Sequence, residues 1–181
     1  TAEMQTQNTF VNSGWDFDDI WMMNGYPKFK KDVGVIKISS WTELMVINEN
    51  LNGHYVLTRD LLTSDSDYDE VAGPSANAGQ GWLPLGGSKN SFAGSFDGQY
   101  YSIDGLYIDR PTTINIGLFG VCNGCSIQKL SVTNVDITGS SSESGYTGGL
   151  VGQLVGGGAI LNSSTTGYVS CGVAHNGGDQ V

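Results

Sequence analysis

Gly117-Leu118-Phe119-Gly120 returns as Gly149-Leu150-Val151-Gly152, 32 positions further along. Each copy runs through a short turn into an apolar stretch, Ile127-Gln128-Lys129-Leu130-Ser131-Val132 after the first and Ile160-Leu161-Asn162-Ser163-Ser164-Thr165 after the second. Ile103-Asp104-Gly105-Leu106-Tyr107-Ile108 fits the same template, 24 positions before Ile127. A unit this short cannot bury an apolar face alone and must stack on the next one. Glycine at fixed places allows sharp corners, and unequal spacing is expected where loops bulge from one corner. The spacing therefore predicts an all-β chain, a β-solenoid of at least three stacked turns.

Composition agrees with many short strands. The 181 residues include 27 glycines and only 4 prolines, with charged residues at 14%. A net charge of −10 argues against nucleic acid, because phosphate backbones need Lys and Arg and only 8 are spread along the chain. No apolar run approaches the roughly 20 residues that span a bilayer, so no membrane insertion is expected. No signal peptide is seen at Thr1, which fits a processed secreted chain or a fragment.

Ahead of the repeats, Val35, Ile36 and Ile38 read as a strand. Ser40 with Glu43 forms a capping-box pattern, and Trp41, Leu44, Ile47 and Leu51 follow at helical spacing until Asn52-Gly53. The helix near 41–51 would cover the open end of residues 34–181. Tyr55-Val56-Leu57 reads as a strand, and residues 63–81 as a long acidic surface loop. In residues 1–30, Trp15 and Phe17 alternate with Asp16 and Asp18 as in a half-buried strand, and Asn24-Gly25 reads as a tight turn.

Taken in order, these residues resemble the GLUG-motif proteins, bacterial secreted or surface-attached repeat proteins named for their glycine-leucine-any-glycine signature. The resemblance runs from Leu44 and Tyr55-Val56-Leu57 with Asp60 to Trp82-Leu83-Pro84-Leu85-Gly86. It continues through Phe92-Ala93-Gly94-Ser95-Phe96-Asp97-Gly98, Ile103 to Leu106, both tetrapeptides and Thr166-Gly167-Tyr168-Val169-Ser170. It implies a right-handed parallel β-helix, here with one short capping α-helix, with adhesive or structural roles, and transfers no catalytic site. Residues 1–30 resemble the closing segment of such a module, which in that family follows the glycine repeats but here precedes them. Either the chain straddles a module boundary, or this segment docks on a neighbouring module or subunit through Trp15, Phe17, Trp21 and Tyr26 and gives head-to-tail filaments.

Candidate chemistry is sparse. Asp65, Asp67 and Asp69, with Glu70, place carboxylates at the 1-3-5 spacing of a calcium loop, and calcium is the one cofactor the sequence raises. Glu70 stands where a loop glycine is needed and no glutamate sits at position twelve, so a solvated acidic loop is the plainer reading. Cys122 and Cys125 have CxxC spacing, which a disulfide across the turn or buried thiols explain better than zinc, with Cys171 left over. His54 and His175 are isolated. Asp18 and Asp19 would diverge across a strand rather than pair as in a glycosidase. Trp15, Trp21, Trp41 and Trp82 suit either a sugar-stacking platform or core anchors. Asn162-Ser163-Ser164 is a glycosylation sequon without force in a bacterial setting.

The reading is a non-catalytic, extracellular or cell-surface structural or adhesive module. Its partners would be neighbouring copies or modules and surface glycans. A glycan- or host-surface-binding adhesin is the second reading. A polysaccharide-degrading enzyme is the third, and it would need convergent charges that Arg59, Arg110 and Lys89 do not obviously provide.

Overall fold

The computed structural model describes residues 10–11, 21–24, 26–29, 34–140 and 145–171. The chain divides into two units, Thr1–Ile36 and Lys37–Val181. In the first, β1 (Trp21–Asn24) pairs antiparallel with β2 (Tyr26–Phe29), Trp21 opposite Phe29 and Asn24 opposite Tyr26. Pro27 has no N–H to donate, and a two-stranded ribbon, all edge, tolerates it. Trp15 and Phe17, and the strand expected to hold them, lie outside the described residues.

Short aliphatic and aromatic clusters make the strands of the second unit: β3 (Val35–Ile38), β4 (His54–Leu57), β5 (Ser95–Asp97), β6 (Ser102–Asp104), β7 (Tyr107–Asp109), β8 (Phe119–Asn123), β9 (Ser126–Gln128), β10 (Ser131–Gly139), β11 (Val151–Val155), β12 (Ala159–Leu161) and β13 (Ser164–Cys171). They form three sheets, ordered β12-β9-β5-β4-β3, β11-β8 and β13-β10-β6, with β7 also paired to β10. Tyr55 faces Phe96, Phe96 faces Ile127 and Ile127 faces Ile160, all in parallel register. Ile108 likewise faces Ile137, which faces Val169.

The tetrapeptides stack as their spacing predicts, Phe119 beside Val151, with Leu118 and Leu150 buried. Their glycines are needed for close approach. A Cβ on Gly120 would run into the Gly86 carbonyl, and one on Gly152 would lie 2.7 Å from Ile116 N. The earlier spacing of 24 is corrected: Ile103 faces Val132, not Ile127. Both stretches read Ile-x-x-Leu-x-aliphatic, yet one joins β6 to β7 and the other β9 to β10, so the template marks two different corners.

The expected helix forms as α1 (Trp41–Val46), tightening into a 3-10 turn at Ile47–Glu49. Glu43 N–H donates to Ser40 Oγ (3.1 Å), while the Glu43 carboxylate accepts from Ser39 N–H (2.6 Å), one residue before the usual box partner. Trp41, Leu44 and Ile47 enter the core as one stripe. Residues 63–81 depart from the expected surface loop. They contain α2 (Tyr68–Val71), and Tyr68, Val71, Ala72 and Ala76 are buried. Tyr68 packs on Trp41 at 5.4 Å, which in turn meets Trp82 at 6.1 Å.

These observations overturn the expected right-handed parallel β-helix with one short helix. The strands fall into three separate parallel sheets and an antiparallel pair, the Gly81–Ile108 bridge is antiparallel, and α2 and the 3-10 turn join α1. The architecture is one of mixed, mostly parallel sheets with a few short helices. Glycine spacing specifies the pairing of β8 with β11, but the other pairings and the segments between strands depend on partners elsewhere in the chain.

Candidate assembly surface

Each stacked column of apolar residues runs toward β11, β12 or β13 and there meets solvent. Ile127 is 0% exposed, and its neighbour Ile160 36%. Ile137 is 0% exposed and Val169 40%; Cys122 is 0% and Leu154 42%. The terminal residues are of core type and lack only the next layer. Val155, Leu161 and Tyr168 add exposed apolar surface beside them.

β11, β12 and β13 are each the last strand of their sheet, so three strand edges lie together at one end of the second unit. An open edge presents unpaired N–H and C=O groups that another strand can use, and proteins usually guard such edges with charge or proline. No Asp, Glu, Lys, Arg or Pro occurs from Gly145 to Ala174, in a chain whose net charge is −10. Residues 145–171 therefore add no like charges where two copies meet through this layer. Sequence reasoning missed Leu154, Ile160 and Val169 as a site. The long uncharged stretch after the last tetrapeptide was the available signal.

Several of the residues singled out for chemistry are engaged elsewhere. Asp65 Oδ2 accepts from Leu62 N–H (2.9 Å) and lies 2.8 Å from Arg59 Nη2. Burial alone would push its pKa up, but the Leu62 N–H and Arg59 outweigh that and hold it below the usual carboxylate range. Asp67 Oδ2 accepts from Thr42 N–H (2.8 Å) and Oγ1–H (2.9 Å), tying α1 to the acidic segment. Asp69 and Glu70 stand exposed in the first turn of α2. Among the described residues no three His, Cys, Asp or Glu side chains gather to hold a metal.

Cys122 and Cys125 are buried free thiols, while Cys171 is exposed. The neighbouring Cys125 thiol, with burial, pushes the Cys122 thiol up. His54 Nδ1 lies 2.9 Å from Ser95 Oγ on the exposed face, and His175 lies outside the described residues. Trp41 and Trp82 are fully buried, with indole N–H groups on the Leu62 and Leu118 carbonyls, so they anchor the core and offer no sugar platform. Arg110 is 8% exposed and donates to Trp82 O (3.0 Å) and Gln80 Oε1 (2.7 Å), and burial lowers its pKa. Arg59 is held by Ser39 O and Asp60 O as well as Asp65. Of the expected docking residues, Trp21 and Tyr26 lie in the β1–β2 pair.

No protein-family model matches the chain, and no solved structure matches it. The chain is 35% identical over 122 residues to halomucin of Haloquadratum walsbyi, an alignment covering 65% of this chain and 1% of halomucin. It is 37% identical over 106 residues to a protein of Evansella cellulosilytica described as a Gly-rich membrane protein, covering 57% of this chain and 10% of that protein. The chain thus spans only a small part of the length of either relative.

Proposed function

We propose that this chain is a non-catalytic structural module of a surface protein, and that it stacks end-on against a neighbouring module or a second copy through β11, β12 and β13. The observation that carries the reading is the set of core-type columns ending in exposed Leu154, Ile160 and Val169, on open edges without a charged residue. A following layer of the same kind would bury these side chains and pair the edges at once. The similarity to halomucin and to a Gly-rich membrane protein, both much longer than the chain, supports a surface-associated setting and a role as one module among many. The GLUG resemblance of the two tetrapeptides points the same way. The β1–β2 hairpin is the segment proposed to dock on the neighbour.

Sedimentation velocity and electron microscopy of the isolated protein at micromolar concentration, with and without calcium, test the reading. End-to-end assemblies that disappear when residues 1–30 are deleted are expected. Dispersed monomers at every concentration would defeat association between copies.

A further inference from the structure

A cleft of about 410 Å³ lies among the 3-10 turn Ile47–Glu49, the segment Leu83–Asn90 and the loop leading to Asn115. Two carboxamides on its lining are half used. Asn48 Oδ1 accepts from Gly86 N–H (3.0 Å), and Asn48 Nδ2 has no partner. Asn115, 5% exposed, donates through Nδ2 to Ser88 Oγ (2.7 Å), and its Oδ1 has no partner. Residues lining the cleft therefore carry one unused donor and one unused acceptor, both buried and shut off from bulk water. Buried polar groups are almost always satisfied, so this pair calls for a bound group that both accepts and donates.

The rest of the lining narrows the chemistry. Lys89 is the one charged lining residue, exposed in the turn closed by Gly87 N–H on Asn90 O, and no carboxylate accompanies it. In a chain of net charge −10 this is a local place for an anion. Leu83 and Ile114 stand exposed beside it and offer apolar contact. No aromatic ring lines the cleft, which disfavours a stacked base.

We propose that this cleft binds a saccharide carrying a carboxylate, a sugar of the uronic acid class. A hydroxyl donates and accepts through one oxygen, so ring hydroxyls satisfy Asn48 Nδ2 and Asn115 Oδ1. The carboxylate pairs with Lys89, and the C–H face of the ring rests on Leu83 and Ile114. Both atoms lie beneath the cleft surface, so contact requires the lining, including the exposed loop Pro111–Ile114, to open around the ligand. The inference goes beyond end-on stacking and does not depend on it, since none of these residues lies in β11, β12 or β13. It gives the module a way to hold an acidic polysaccharide alongside its neighbours.

The experiment is a titration of the ¹⁵N-labelled full chain with trigalacturonate, with cellotriose as the neutral comparison, followed by amide shifts. Saturable shifts at Gly86 to Lys89 and at Ile114 and Asn115 are expected with trigalacturonate, weakening as salt is raised. Lys89→Ala, at an exposed site, should weaken binding about tenfold. Asn48→Asp keeps the acceptor for Gly86 N–H but replaces the unused donor, and should weaken it by about as much. Equal binding of cellotriose overturns the acidic specificity, and full affinity in either variant overturns the assigned contacts. Absence of shifts up to about 10 mM trigalacturonate overturns the site itself, leaving a buried water as the occupant that satisfies both carboxamides.

Discussion

Replacing Ile160 by glutamate places a carboxylate at the end of the Tyr55–Phe96–Ile127 column, where the proposed neighbour would sit. Fully burying an aliphatic side chain is worth about 1.5–3 kcal/mol. Leu154, Val155, Ile160, Leu161 and Val169 retain between 36% and 54% of their exposure, so each has about 1 kcal/mol still to gain. Together with a few edge hydrogen bonds at about 1 kcal/mol net each, the gross gain is about 8–10 kcal/mol. Association itself costs about 4–15 kcal/mol, so at most about 6 kcal/mol is left and assembly no tighter than tens of micromolar is expected. Ile160→Glu forfeits about 1 kcal/mol of apolar burial and strands a carboxylate in the contact at about 3 kcal/mol more. A loss of about 4 kcal/mol is close to a thousandfold weakening. Because Ile160 is partly exposed in the free chain, folding should change far less than association. Sedimentation velocity across a concentration series measures the effect, with Leu62→Glu, also at an exposed leucine, as the control. Assembly of Ile160→Glu at wild-type concentrations would refute the reasoning, as would Leu62→Glu dispersing the assembly equally well.

Three further predictions concern the fold and its titrating groups. Gly120→Ala drives a methyl group against the Gly86 carbonyl and should cost about 2–4 kcal/mol, read as a lowered denaturation midpoint; an unchanged midpoint would mean the layers are not so closely spaced. The Asp65 pKa is held low in the folded chain, so its contribution is complete above the ordinary carboxylate value and disappears as pH falls through the folded one. Asp65→Asn should therefore lower stability by about 1 kcal/mol at neutral pH, with exposed Arg59 limiting the size, and the gap to wild type should close as pH falls below the ordinary carboxylate range. In native alkylation by iodoacetamide, Cys171 should react promptly and the buried Cys122 and Cys125 only on unfolding; three prompt thiols would contradict the packing of β8 against its neighbours.

How far the local sequence carries the structure can be judged at particular residues. Ser40, Glu43, Trp41, Leu44 and Ile47 announce α1, because a cap and a helical stripe are local patterns whose partners lie within one or two turns. Val35 to Ile38 and Tyr55 to Leu57 announce strands for the same reason. Tyr68 was not legible as a core residue. Its burial depends on Trp41 and on its hydroxyl donating to Gly105 O at 2.7 Å, both far away in the chain. Nor was the destination of Asp67, which closes on Thr42. The carboxylate spacing of 65, 67 and 69 describes a loop's potential ligands, but their hydrogen-bond partners come from other segments.

The sequence by itself determined that this is a strand-rich chain of stacked units, with the two tetrapeptides in adjacent layers, because glycine and aliphatic spacing is a property of the chain alone. Only the tertiary structure decided that Ile103 faces Val132, that the strands divide among three sheets, and that Asn48 and Asn115 share one cleft. It also decided that Ile160, of the same residue type as buried Ile127, is the last of its column. Burial depends on what stands beside a residue in space, and identical local sequence leaves that neighbour unspecified.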